Sequence, residues 1–243
     1  MATPFALPRR MLIDNLLNFL FPVACILCRA IVRERRWAAV CPACWAALIP
    51  VEPPLCLRCG IPAVAIEGTC GACRAGDTVF DYARSAVLFN DAARDVIHHL
   101  KYSDRVSLAK PIGRWLSDVY EREAFRSSII IPVPLHASRM RERGYNQAEQ
   151  IARGMKLRFE PGLVRRRKKT PSQTGLSRAA RIRNLSAAFE LRGEVKGGSF
   201  LLVDDVMTTG ATMNELTRLL KRHGAARVEV LTFARVPEGI SPR

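Results

Sequence analysis

"FLLVDDVMTTGATM", residues 200–213, opens as an unbroken apolar run, ends it on two adjacent carboxylates, and then turns small and hydroxyl-rich. Such a run predicts a strand buried on both faces, as in a parallel sheet covered by helices on each side. Thr208, Thr209, Gly210, Ala211 and Thr212 then bridge the strand end to a predicted helix over residues 211–223. Free backbone amides, the positive end of a helix dipole and the threonine hydroxyls converge there, forming a cradle suited to a phosphate monoester. The loop is not of Walker A type, because the G-x-x-x-x-G-K-[ST] spacing and its lysine are missing. Asp204 and Asp205 are the costly part: like charges about 4 Å apart repel, and desolvation adds to the cost. With a 5′-phosphate in the cradle, the pair would accept hydrogen bonds from the two hydroxyls of a ribose. A magnesium ion nearby would ease their repulsion.

Outward from this stretch the texture is alternating. "YARSAVLF" (82–89), "SIIIPVP" (128–134) and "RVEVLTFA" (227–234) read as further strands, and residues 91–102, 107–120 and 146–155 as helices. Apolar β-branched strands alternating with helices predict an α/β fold with a parallel sheet. Ligands of such sheets gather beyond the carboxyl ends of the strands, where both "PVPLH" and "DDVMTTGAT" fall.

All eight cysteines precede residue 74, as the pairs Cys25/Cys28, Cys41/Cys44, Cys56/Cys59 and Cys70/Cys73, with 12, 11 and 10 residues between successive pairs. Four regular C-x-x-C knuckles predict two tetrathiolate zinc sites rather than disulfides or a redox dithiol, which needs no such repetition. Sequential pairing puts Cys25, Cys28, Cys41 and Cys44 on one ion and Cys56, Cys59, Cys70 and Cys73 on the other. A cross-braced arrangement satisfies the same spacing. Rich in proline and poor in periodicity, the segment needs metal to fold. Three regions result: a short amphipathic segment (1–24), a zinc-knuckle module (25–80) treated as separable, and an α/β domain (81–243).

The formal net charge is +16. That excess favours polyanionic partners and says nothing of fold. Residues 165–183 hold eight basic residues, beginning with Arg165, Arg166 and Arg167, and no acidic one. Arg9 and Arg10 before "MLIDNLLNFLF" imitate a signal peptide, but Asp14 and Asn15 interrupt the apolar run. No stretch is long and apolar enough to span a bilayer, and the expected location is the cytoplasm.

The loop at 204–212 resembles the phosphoribosyl-diphosphate (PRPP) loop of type I phosphoribosyltransferases. "LKY" at 100–102, "PVPLHASRMRERGYNQAEQIA" from Pro132 and "TPSQTGLSRAARIRNLSAAF" from Thr170 narrow the resemblance to the ComF family of competence-associated bacterial proteins. The resemblance implies a type I phosphoribosyltransferase-like sheet, PRPP with magnesium at residues 204–212, and a diphosphate-binding loop at "PVPLHASRMRERG". It makes Lys101, Arg139 and Arg143 candidates for the diphosphate. It also places Gln173, Arg178, Arg181 and Asn184 in a lid, which would exclude water from an oxocarbenium-like transition state. Thr208 stands where purine-salvage relatives carry an aspartate, which argues against purine salvage; orotate-type relatives share a threonine there.

The implied function is a PRPP-binding protein of DNA uptake that contacts single-stranded DNA and proteins of the uptake machinery. The alternative is a metabolic phosphoribosyltransferase acting on a free base or amine. Few aromatics are available to stack bases; Trp37, Trp45, Tyr102 and Tyr145 are the candidates.

Overall fold

The structure, a computed structural model, describes residues 23–32, 40–62, 68–102, 105–167 and 188–237. The cysteine-rich region contributes β1 (Val23–Ala24), β2 (Ile31–Val32), α1 (Pro42–Ala46) and α2 (Gly71–Arg74). The remainder runs β3 (Tyr82–Leu88), α3 (Asp91–Tyr102), α4 (Ala109–Arg122), β4 (Ile129–Pro132), α5 (Ala137–Arg143) and α6 (Gln147–Gly154). It continues through β5 (Arg158–Phe159), β6 (Val164–Arg166), β7 (Phe189–Leu191), β8 (Ser199–Met207), α7 (Ala211–Arg222) and β9 (Arg227–Arg235).

Five strands form a parallel sheet in the order β3-β9-β8-β4-β5, so the strand carrying Asp204 and Asp205 is central. Side chains alternate across it. Leu201, Val203, Leu231 and Phe233 face one core with α3, α4 and α6; Phe200, Leu202, Val228 and Val230 face the other with α7. The first face has three helices and the second only one. β6 and β7 pair antiparallel as a separate hairpin.

The cysteine-rich region is not a separate body. Its first half joins the three-helix core through Cys25, Cys41, Trp45 and Leu48. Trp45 meets Trp115 edge to face at 6.2 Å, and Trp115 meets Phe233 of the sheet at 6.1 Å. Its second half, with Cys56, Cys59, Cys70 and Cys73, fills out the face that α7 covers alone. Between them, residues 49–51 run along edge strand β3: the Val51 amide donates to Ala86 O at 3.0 Å and the Leu88 amide to Ile49 O at 2.8 Å. Buried Arg84 ties the same edge to the second half, donating to Ala83 O at 2.7 Å and to Cys56 O and Leu57 O at 3.4 Å, while pairing with Glu123 at 2.9 Å. Gly60 takes φ +66°, and a Cβ there would stand 2.5 Å from the Ala83 carbonyl oxygen. Only glycine allows this approach.

Candidate functional site

Each cysteine tetrad brings its four sulfurs within 4.8 Å of one another. Cys25–Cys44 and Cys28–Cys41 lie at 3.8 and 3.6 Å, and Cys56–Cys73 and Cys59–Cys70 at 3.7 and 3.6 Å. Zinc–sulfur bonds of about 2.3 Å in a tetrahedron put sulfurs about 3.8 Å apart, so both sets fit zinc and the pairing is sequential. Disulfides would need sulfurs about 2.05 Å apart, and all eight thiols are free. The second knuckle of each site caps a short helix, and its first amide is held by the opposite knuckle: Cys41 N donates to Cys25 Sγ at 3.3 Å and Cys70 N to Cys56 Sγ at 3.4 Å. Four thiols this close cannot all ionise without a cation. Burial raises Cys56, but the amides of Cys59, Cys70 and Arg58 outweigh it and bring it down to about 6; burial and the neighbouring sulfurs push Cys59 up.

The 208–212 loop, expected to cradle a phosphate, lies at the carboxyl end of β8. The strand runs past the two aspartates to Met207, and Asp204 sits opposite Thr232 of β9. Gly210 then takes φ +76° as the N-cap of α7 without a side-chain capping bond. The first-turn amides of α7 have no intrahelical acceptor; Thr209 Oγ1 reaches only the Ala211 amide, at 3.4 Å. Arg235, at the end of β9, braces the loop from below by donating to Met207 O at 3.2 Å and to Thr208 O.

The aspartates meet their cation here. Lys101 Nζ lies 2.7 Å from Asp205 Oδ2, brought in by the last turn of α3. That turn is held by the loop after β4: Tyr145 OH donates to Leu100 O, and Arg143 donates to Tyr102 OH at 2.8 Å while lying 4.6 Å above its ring. Asp204 accepts from the Asp205 amide at 2.9 Å. Burial, then the charge of Asp205, pushes its carboxyl up to about 7 against the pull of Lys101 and Arg166.

The segment expected to be a diphosphate-binding loop is in part helical. Residues 137–143 make a helix, capped when His136 Nδ1 accepts from the Ser138 amide at 3.2 Å. Burial of Arg166 lowers its pKa and the charge of Arg139 adds to this, while Asp204 opposes both. Arg143 donates to Tyr102 OH and to Gln147 Oε1 at 3.1 Å. Asp204, Asp205, Lys101 and the 208–212 loop form one neighbourhood at the carboxyl end of β8. Gln173, Arg178, Arg181 and Asn184, with Trp37 and nearly all of the N-terminal segment, lie outside the described residues.

Comparison with known proteins agrees with this assembly. A family model described as Phosphoribosyl transferase domain matches residues 140–243, and one described as Double zinc ribbon domain matches residues 16–74. DNA utilization protein YhgH of Escherichia coli O6:H1 is 33% identical over 223 residues, covering 88% of this chain and 97% of its own length. Competence protein F of Haemophilus influenzae is 32% identical over 195 residues, covering 75% and 85%. The chain belongs to the ComF family. Competence protein ComFC of Streptococcus pneumoniae, 27% identical over 152 residues and covering 63% and 67%, is a more distant relative.

Two residues of this ComF-family chain escape a reading by motif. Arg235 is a buried charge ending an apolar strand on the ligand side, and its position was the available signal. Asn214, on the buried side of α7, joins the cradle to the second zinc ribbon. Its Nδ2 donates to Asp77 O at 2.7 Å and its Oδ1 accepts from the Val79 amide at 2.8 Å. Cys73 Sγ lies 3.3 Å from Thr78 Oγ1 in that same stretch. Metal ligand, linker and α7 are thus connected through a few bonds. No helix among the described residues is long and apolar enough to cross a membrane.

Proposed function

We propose that this ComF-family protein binds PRPP with magnesium at residues 204–212 and acts in the uptake or utilisation of DNA, with single-stranded DNA and proteins of the uptake machinery as its partners. One observation carries the reading. The paired carboxylates stand directly before an open strand-to-helix cradle, with Lys101 paired to Asp205 at 2.7 Å.

In this assignment the α7 amides and the threonine hydroxyls hold the 5′-phosphate, and Asp204 and Asp205 accept from the ribose hydroxyls. Lys101 exchanges Asp205 for a diphosphate oxygen once the sugar engages that carboxylate. Arg139 adds charge from the side of the diphosphate loop. Magnesium supplies neutralisation of the diphosphate when bound. The names of the relatives, for DNA utilisation and competence, support the cellular part of the reading.

Calorimetry on zinc-loaded protein with magnesium and PRPP tests the site, and repetition with an added oligonucleotide tests the partner. Asp204→Asn with Asp205→Asn is expected to weaken PRPP binding by about 2–4 kcal/mol, from two charge-assisted hydrogen bonds less some recovered order. The double variant also strands Lys101 without its carboxylate. Absence of PRPP binding in the wild type overturns the assignment. Diphosphate release with a free base or amine, and no DNA binding, would favour the metabolic transferase instead.

A further inference from the structure

A cavity of about 530 Å³ opens between α5, the first turn of α6, the turn before β6 and the β6–β7 hairpin. Its size lies within the about 300–1,000 Å³ of ordinary small-ligand sites. Its floor is apolar, from Pro134, Leu135, Met140, Pro161 and Val164, and Met140 is exposed despite its type. Its wall is cationic, from Arg165, Arg166 and Arg192. A second cavity of about 280 Å³ shares those three arginines and adds His136 and Arg167. Neither Asp204, Asp205 nor any residue of the 208–212 loop lines either one.

The charges are unbalanced. Glu149, in the larger cavity, is already held by Arg153 at 2.6 Å, and Glu190, in the smaller, by Arg192 at 3.0 Å. Arg165 is exposed and has no carboxylate partner among the described residues. Arg166 feels both the like charge of Arg139 and the opposite charge of Asp204. Apolar lining beside a cationic chamber, with arginines common to both cavities, suits a nucleoside with its phosphate.

We propose that these joined cavities seat one nucleotide of a single strand, its base against Leu135 and Met140 and its phosphates on Arg165 and Arg192. This rests on the DNA reading above and gives it an address: the outer side of the diphosphate loop, beside the PRPP cradle rather than in it. Phosphate contacts set the affinity, and the floor rewards any base, so sequence preference is weak.

Fluorescence anisotropy with a labelled oligothymidylate and its abasic counterpart separates the two halves of the site. Arg165→Ala with Arg192→Ala is expected to weaken both probes by about tenfold or more. It should also flatten the log–log salt slope by about 1.4, from two phosphates at about 0.7 each. Met140→Asn is expected to weaken the base-bearing probe by about three- to tenfold and leave the abasic one unchanged. PRPP binding by calorimetry is unchanged in the arginine variant. If both variants bind DNA as the wild type does, the strand lies elsewhere and the cavity assignment is wrong, while the DNA reading stands. If the wild type binds no single strand at physiological salt, the DNA reading itself fails. Deoxythymidine monophosphate competing as well as the oligonucleotide would identify a free-nucleotide site and overturn the strand assignment.

Discussion

The two zinc ribbons share a ligand pattern and differ in what they hold. The first exposes Cys28 and attaches to the three-helix face by packing, through Trp45 and Leu48. The second buries all four thiols and completes the face that α7 covers alone; Asn214 fastens the irregular segment that follows it to α7. Packing is non-directional and tolerates small shifts, whereas a hydrogen-bonded clamp fixes a position. The first ribbon is thus a prop for the fold, and the second is tied by hydrogen bonds to the helix that follows the 208–212 loop.

The largest contrast should come from the cysteines. Elemental analysis is expected to give two zinc per chain for the wild type and one for Cys59→Ser. Cys59→Ser should forfeit much of the about 10–16 kcal/mol that a structural zinc supplies to folding, and PRPP binding with it. Cys28→Ser, at an exposed corner, should lower the melting temperature less and leave PRPP affinity within about twofold. Equal losses of PRPP binding in the two variants would erase the distinction.

Trp45→Ala comes next. Truncating this packed indole should cost about 3–5 kcal/mol in denaturant unfolding without a change in PRPP affinity, because it touches no part of the cradle. Asn214→Ala should behave in the opposite sense. Its stability cost is smaller, about 1–3 kcal/mol for a buried amide and carbonyl left unpaired, yet it should weaken PRPP binding several-fold with zinc content intact.

The smallest effect isolates the site from both ribbons. The folded state raises the Asp204 carboxyl to about 7, so it holds this proton more tightly than the unfolded chain. The stability from that proton is complete below the ordinary carboxylate range and is lost as pH rises through about 7. Asp204→Asn should flatten this decline in melting temperature. PRPP affinity should rise over the same interval in the wild type, because an ionised Asp204 is the better acceptor for ribose hydroxyls.

Much of this was legible in the chain. The strands around Leu201, Ile130 and Leu231 announce themselves because burial on both faces demands uninterrupted apolar runs. The cysteine knuckles announce themselves because zinc demands four thiolates. The β6–β7 hairpin and α5 did not, since "VRR" and "ASRMRER" carry no apolar period and owe their structure to tertiary partners, including the bridge between His136 and Arg166. The Lys101–Asp205 pair depends on how α3 and β8 meet, which no local pattern encodes. The connection through Asn214 was hidden for a related reason: a single polar residue on a helix face reads as ordinary until its partners in the linker are seen.

The residues at 49–51 that run beside β3 also bear on how the protein behaves in crowded solution. Among the described residues, they and Arg58, whose carbonyl receives the Ala83 amide at 2.7 Å, occupy the outer hydrogen-bonding groups of that strand. Stripped of metal, the cysteine-rich region would release a seven-residue strand, "YARSAVL", with no proline and an open row of amides and carbonyls. Such an edge is a template for pairing between chains. Zinc starvation would then produce intermolecular β-assembly in place of an inert apoprotein, and the sulfur-bound metal would serve as a solubility device for the whole chain.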